Sequence, residues 1–151
     1  IEFELSTPVA GARALVEHQL RDQRVVLRCS LDADLPAVMG DPHEIQQVLL
    51  NLFLNSLNAL EGVEGRSISV FGQQVGDRIV LRVEDDGPGV DKSTLDQVLD
   101  PFFSGSNHPD ATGLGLFISF TIIQNHGGQL SVSSASGEGF GVRIELPFSP
   151  T

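Results

Sequence analysis

The 151-residue chain is expected to fold as an α/β (α+β) two-layer sandwich, a mixed, mostly antiparallel sheet covered on one face by about three helices. Two pairs of alternating apolar and polar runs, each joined by a glycine-bearing turn, read as antiparallel hairpins and exclude a doubly wound parallel sheet. Helical stretches, amphipathic or apolar throughout, separate the strands. The order is strand, helix, strand, helix, two strands, loop, helix, two strands, with no internal repeat.

Ile1 to Leu5 alternates apolar with acidic residues and predicts a short edge strand. Thr7-Pro8 opens a helix to about Arg21, with Val9, Ala12, Leu15, Val16 and Leu20 on one face. Val25 to Leu31 reads as a strand and Asp32 to Gly40 as a polar connector. Asp41-Pro42-His43-Glu44 starts the next helix, with Asp as N-cap, Pro at the first helical position and Glu at the third. Glu61-Gly62 ends it. Ser67 to Val75 and Arg78 to Asp85 pair about a turn at Gly76-Asp77, with Ile79, Leu81 and Val83 facing the core. Val90 to Thr112 has little periodicity beyond a turn near Leu95–Leu99, and its prolines, glycine and small polar residues suit a lid or binding loop. Gly113 to Asn125 is an apolar helix that stops at Gly127-Gly128. Leu130 to Ser134 and Phe140 to Leu146 form the last hairpin around Gly137-Glu138-Gly139.

This length makes one domain, residues 1–151, with room for a core that needs no staples. The start at Ile1 predicts a piece of a longer chain. A net charge of −11 repels nucleic acid and anionic lipid, so no nucleic-acid partner is expected. Lys92 is the only lysine, so a phosphate ligand would have to be held by backbone amides, a metal ion or a few placed groups. Cys29 is the only cysteine, which excludes an internal disulfide and fits a reducing, cytoplasmic setting. His18, His43, His108 and His126 show no metal-ligand spacing. His126 closes the last helix, where a histidine suits the C-terminal dipole.

The helix from Glu44 to Leu60 carries the sharpest signal. At 100° per residue, Glu44, Gln47, Asn51, Asn55 and Asn58 fall within an arc of about 80°. Almost all of the remaining circumference is Ile, Val, Leu, Phe and Ala, so the helix is expected to be mostly buried. A buried amide without a partner costs about 1–3 kcal/mol, so something polar should face this line, either a neighbouring element or a ligand.

Two glycine motifs follow. Asp85-Asp86-Gly87-Pro88-Gly89 ends a strand in a sharp turn that lets backbone approach a ligand, and Asp85 can accept a hydrogen bond from an exocyclic amine. An acidic turn is the plainer reading of that pentapeptide alone. Thr112-Gly113-Leu114-Gly115-Leu116 opens a helix whose free N–H groups and partial positive charge suit phosphate. Glycines placed for tight packing are the plainer alternative there.

In this order and spacing, the amide-lined helix, D-x-G-x-G after a strand, a lid and T-G-L-G-L resemble the Bergerat ATP-binding (GHKL) fold of gyrase, heat-shock chaperones, histidine kinases and mismatch-repair ATPases. Gly40-Asp41, the run from Gln47 to Asn55, and Asp100-Pro101-Phe102-Phe103 are similar to the catalytic and ATP-binding domain of two-component sensor histidine kinases. The resemblance implies ATP and Mg²⁺ as cofactors, with Asn55 as metal ligand and Asp85 on the adenine amine. Gly87 and Gly89 would border the base. Thr112, Gly113, Leu114, Gly115 and Leu116 would hold the phosphates, Phe103 would anchor the lid at about 90–112 with Phe102, and Asn58 would line the site. Asn51 is the implied catalytic position: hydrolytic members carry a glutamate there, and an amide removes the general base. This favours phosphoryl transfer over hydrolysis.

The implied acceptor is a histidine on a separate dimerisation and phosphoacceptor domain, with a response regulator receiver domain next in the relay. The isolated domain would be a monomer and the full kinase a homodimer, cytoplasmic or the cytoplasmic part of a membrane-anchored protein. Two other readings stay open: a nucleotide-binding regulatory module without transferase activity, and a hydrolase of the same superfamily. The first draws on the acidic lid, where Asp91, Asp96, Asp100 and Asp110 face one base, Lys92, and where Ala111 and Ser104-Gly105-Ser106 replace common family residues.

Overall fold

Asp41 starts the central helix as its sequence predicts. Its backbone is extended, its Oδ1 accepts the His43 N–H at 2.9 Å, and Pro42 fills the first helical position, where no N–H is needed. In the computed structural model, which describes residues 1–62, 66–98, 115–134 and 139–148, this helix is one of three long ones on one face of a five-stranded sheet. The elements are β1 (Glu2–Phe3), α1 (Ser6–Gln23), β2 (Val26–Leu31), β3 (Val38–Met39), α2 (Pro42–Ala59), β4 (Ser67–Val75) and β5 (Arg78–Asp85). They continue with α3 (Lys92–Leu95), α4 (Gly115–Asn125), β6 (Gln129–Ser134) and β7 (Phe140–Pro147).

The sheet runs β2-β4-β5-β7-β6, with β2 parallel to β4 and every other pair antiparallel. This is the mixed two-layer sandwich expected. Register sets the inner face: Val70, Val83 and Val142 lie in one row, and Leu81, Ile144 and Leu130 in the next. All six are buried against Ile45, Leu49, Leu52, Phe53 and Ile123 of the helical layer. At about 25 cal/mol per Å² of apolar surface, this shared core is the main force holding the layers together.

Three expectations need correction. Leu15 is 59% exposed, whereas Val9, Ala12, Val16 and Leu20 are buried. On the helical wheel Leu15 stands about 100° from the centre of that stripe, beyond the reach of α2. The connector from Asp32 to Gly40 is not wholly irregular: β3 pairs with β1, Phe3 opposite Val38, outside the main sheet. Val38 is the one residue of that run that is fully buried, and it seats the pair, while Met39 beside it is exposed. The turn expected near Leu95–Leu99 starts earlier, as α3, because Asp91 Oδ1 accepts the Thr94 N–H at 2.8 Å and caps it.

Candidate functional site

Asp85 ends β5 between Ile68 of β4 and Phe140 of β7, so the sheet carries its carboxylate into the interior. Only 8% of the residue is exposed. Oδ1 accepts the Gly87 N–H at 3.0 Å, whereas Oδ2 is buried and meets no donor in good hydrogen-bond geometry. The Ser56 hydroxyl and the Phe140 N–H nonetheless lie close enough to favour the charged carboxylate. Burial raises the Asp85 pKa above its ordinary value, outweighing the lowering by the Gly87 N–H, the Ser56 hydroxyl and the Phe140 N–H, while the Asp86 charge adds to the rise. An unsatisfied buried oxygen of this kind costs about 1–3 kcal/mol, which an incoming donor would recover.

Glycines at close contacts shape the surroundings of Asp85. A Cβ on Gly139, where φ is +83°, would lie 2.2 Å from the Asp85 carbonyl oxygen. A Cβ on Gly87 would meet Leu60 Cδ2 at 3.0 Å, so this turn packs directly on the end of α2. Gly89 takes a left-handed φ of +69°. Asp86 pins the turn from outside: its Oδ1 accepts the Ser67 N–H at 2.9 Å and its Oδ2 the Ser67 hydroxyl at 3.1 Å. Arg66 Nη1 donates to the Asp86 carbonyl at 3.0 Å. Ser134 Oγ accepts the Val90 N–H at 2.9 Å and donates to the Gly139 carbonyl, tying the chain beyond Gly89 to the end of β6 and the start of β7. Sequence reading missed the parts played by Asp86, Ser56 and Ser134, since single polar residues at strand and helix ends leave no periodic mark.

The amide line of α2 is present but less buried than expected. Glu44 and Gln47 are exposed, and Asn51, Asn55 and Asn58 are half-buried. Helical periodicity puts them on one face, but that face borders α4 rather than lying under it. Gln47 Nε2 donates to Asn51 Oδ1 at 2.9 Å, and Asn51 Nδ2 donates to the Gly115 carbonyl at 3.4 Å and Ser119 Oγ at 3.5 Å. A Cβ on Gly115 would be 3.8 Å from Asn51 Cβ, an ordinary contact. Leu116 packs partly buried on the core. The Asp85 end and the Asn51–Gly115 end thus share one helix, with Ser56 beside Asp85 and Asn51 beside α4. Phe103, Thr112, Gly113 and Leu114 lie outside the described residues, as does the expected lid from 99 to 112.

His126 does more than end α4. Its Nε2 accepts the Asp41 N–H at 3.1 Å, which leaves Nδ1 protonated toward the Ile122 carbonyl at 2.9 Å. The ring therefore joins the end of α4 to the start of α2, and Gly40 makes room for it: a Cβ there would fall 2.3 Å from His126 Cδ2. His18 pairs with Asp22 on the exposed side of α1. Among the described residues, no group of three or more His, Cys, Asp or Glu side chains is placed to hold a metal ion.

Residues 40–150 match the family described as histidine kinase-, DNA gyrase B-, and HSP90-like ATPase. The sequence is 33% identical over 148 residues to the sensor histidine kinase ZraS of Escherichia coli, covering 98% of this chain and 31% of that protein. It is 37% identical over 134 residues to ZraS of Salmonella typhimurium, covering 88% of this chain and 28% of that one. The chain spans about a third of the length of these curated relatives. A nucleotide-free catalytic domain of the histidine kinase ThkA superposes with a TM-score of 0.85 at 26% identity, covering 99% of this chain and 98% of that one.

Proposed function

The chain belongs to the histidine kinase-, DNA gyrase B-, and HSP90-like ATPase family, in its sensor histidine kinase branch, and on that premise we propose that it binds MgATP and donates the γ-phosphoryl group to a histidine. That acceptor would lie on the dimerisation domain of the same kinase, and a response regulator receiver domain would take the group next. The observation that carries the nucleotide assignment is Asp85 Oδ2, a buried acceptor that meets no donor in good hydrogen-bond geometry. An adenine amine is a donor of the required size and charge, whereas guanine presents a carbonyl at the equivalent position.

Asp85 orients the base, while Gly87 and Gly139 keep side chains off the approach to it. Asn55 offers an oxygen to Mg²⁺, and neither it nor Asn58 hydrogen-bonds another described residue through its side chain. The metal, when bound, supplies positive charge to the triphosphate. The glycine-bearing segment that precedes α4 in sequence, with Gly115 at the helix start, would receive phosphate oxygens on its N–H groups in the manner of helix N-termini. Asn51, one turn before Asn55, has no basic atom to take a proton from water, so the site lacks the group that hydrolysis needs. Transfer then depends on positioning and on an acceptor brought by another domain.

The chain would act as a monomeric module within a homodimeric kinase whose catalytic part is cytoplasmic. No helix among the described residues is long and apolar enough to cross a membrane. Incubated alone with MgATP, the chain is expected to bind nucleotide and turn it over negligibly. Addition of the histidine-bearing domain should yield a phosphoprotein that is labile in acid and stable in alkali. Steady ATP hydrolysis by the chain alone contradicts the transfer reading and favours the hydrolase. Binding without any phosphoprotein favours the regulatory module.

A further inference from the structure

Asn51 stands between two elements, and only one orientation of its carboxamide satisfies both. The Gly115 carbonyl, 3.4 Å away, can only accept a hydrogen bond, so Nδ2 must face it. Ser119 Oγ lies on the same side at 3.5 Å and belongs to a residue with 0% exposure. Oδ1 is thereby turned to Gln47, whose Nε2 donates to it at 2.9 Å. Gln47 is exposed and sits two turns before Asn55, so it has no place among the groups that contact nucleotide. Its role is to occupy Asn51 Oδ1. Without that donor, the Asn51 carboxamide is no longer held in this orientation.

We propose that Gln47 is a positioning residue for the nucleotide phosphates: by holding Asn51 Oδ1 it keeps Asn51 Nδ2 on the first turn of α4, and so sets the gap between α2, which carries Asn55, and the turn that receives the phosphates. The inference rests on the nucleotide assignment of the preceding section. It makes the effect of Gln47 specific to ligands that carry phosphate. Adenosine engages only the Asp85 end, where the geometry is fixed by Gly87, Gly139 and Ser134, and none of these touches Gln47.

The test is Gln47→Met, neutral, similar in length, well suited to a helix and unable to donate. Calorimetric titration of the 151-residue chain should show MgATP bound about 3- to 10-fold more weakly, as expected for one lost hydrogen bond. Adenosine affinity should stay within about twofold of wild type. In an Asn51→Ala background, Gln47→Met should change MgATP affinity by less than about twofold, because its partner is already gone. An unchanged MgATP affinity, an equal loss for adenosine, or the same loss in the Asn51→Ala background overturns the role of Gln47. In each of those cases wild-type binding of MgATP leaves the nucleotide assignment standing. Failure of the wild type to bind MgATP at all overturns both.

Discussion

At the Asp85 end of the candidate site the backbone sets the geometry, and at the Asn51 end side chains do. Asp85 is fixed by its register between β4 and β7, by the Gly87 N–H and by a Gly139 that can carry no Cβ. Asn51 is held by one exposed glutamine and by two longer contacts to α4. Sheet register and glycine contacts leave little room for adjustment, so the first end is suited to selecting a base. Hydrogen bonds of 3.4 and 3.5 Å between two helices yield more readily, so the second end is suited to phosphates and an acceptor that arrive together. On the proposed function, selectivity and transfer fall to different materials, backbone in one case and side chains in the other.

The sharpest break of this contrast is Asp85→Asn. Loss of the charged acceptor should weaken ATP by roughly 10- to 100-fold, measured by calorimetry. The same change should stabilise the free protein, because burial raises the Asp85 pKa and the ionised form therefore destabilises the ligand-free fold. The penalty is full above the raised folded-state value, shrinks as pH falls through it, and is gone below the ordinary carboxylate value. Melting curves of wild type and Asp85→Asn should accordingly differ most at neutral pH and converge in acid. A variant that loses ATP and also melts lower at neutral pH would show that Asp85 serves the fold first.

Asn55→Ala probes the other end. It should erase the gain in affinity that Mg²⁺ gives ATP while leaving adenosine within about twofold. Undiminished magnesium dependence would mean that the amide line of α2 is structural. The smallest effect is expected from Ser134→Ala, which removes the tie between Val90 and Gly139. Two half-buried hydrogen bonds should bring a loss of about 1–2 kcal/mol in urea unfolding. No loss would show that Val90 and Gly139 keep their places without the serine.

Where the sequence was legible, the signal was local. Asp41-Pro42 marked the start of α2, and alternation across Gly76-Asp77 marked a hairpin whose register pairs Val75 with Arg78. Asp85 could be singled out because a carboxylate followed by glycine, proline and glycine at the end of a strand is a short pattern. What stayed hidden depends on distant partners. β3 is two residues long, and only its pairing with β1 makes it a strand. Periodicity placed Gln47, Asn51 and Asn55 on one face of α2 but could not say that α4 borders that face instead of covering it. Nor could it reveal that Ser134 reaches both Val90 and Gly139, or that His126 meets Asp41 across 85 residues, because such contacts exist only once the sheet and helices have docked.

On the proposed function, the buried oxygen of Asp85 selects adenine. Titration of the wild-type chain with ATP and with GTP, each with Mg²⁺ at the same pH and ionic strength, tests it most directly. ATP should bind at least about tenfold more tightly than GTP, the margin expected when a carboxylate meets an amine in one case and a carbonyl in the other. Equal affinity for the two nucleotides would mean that Asp85 does not read the base.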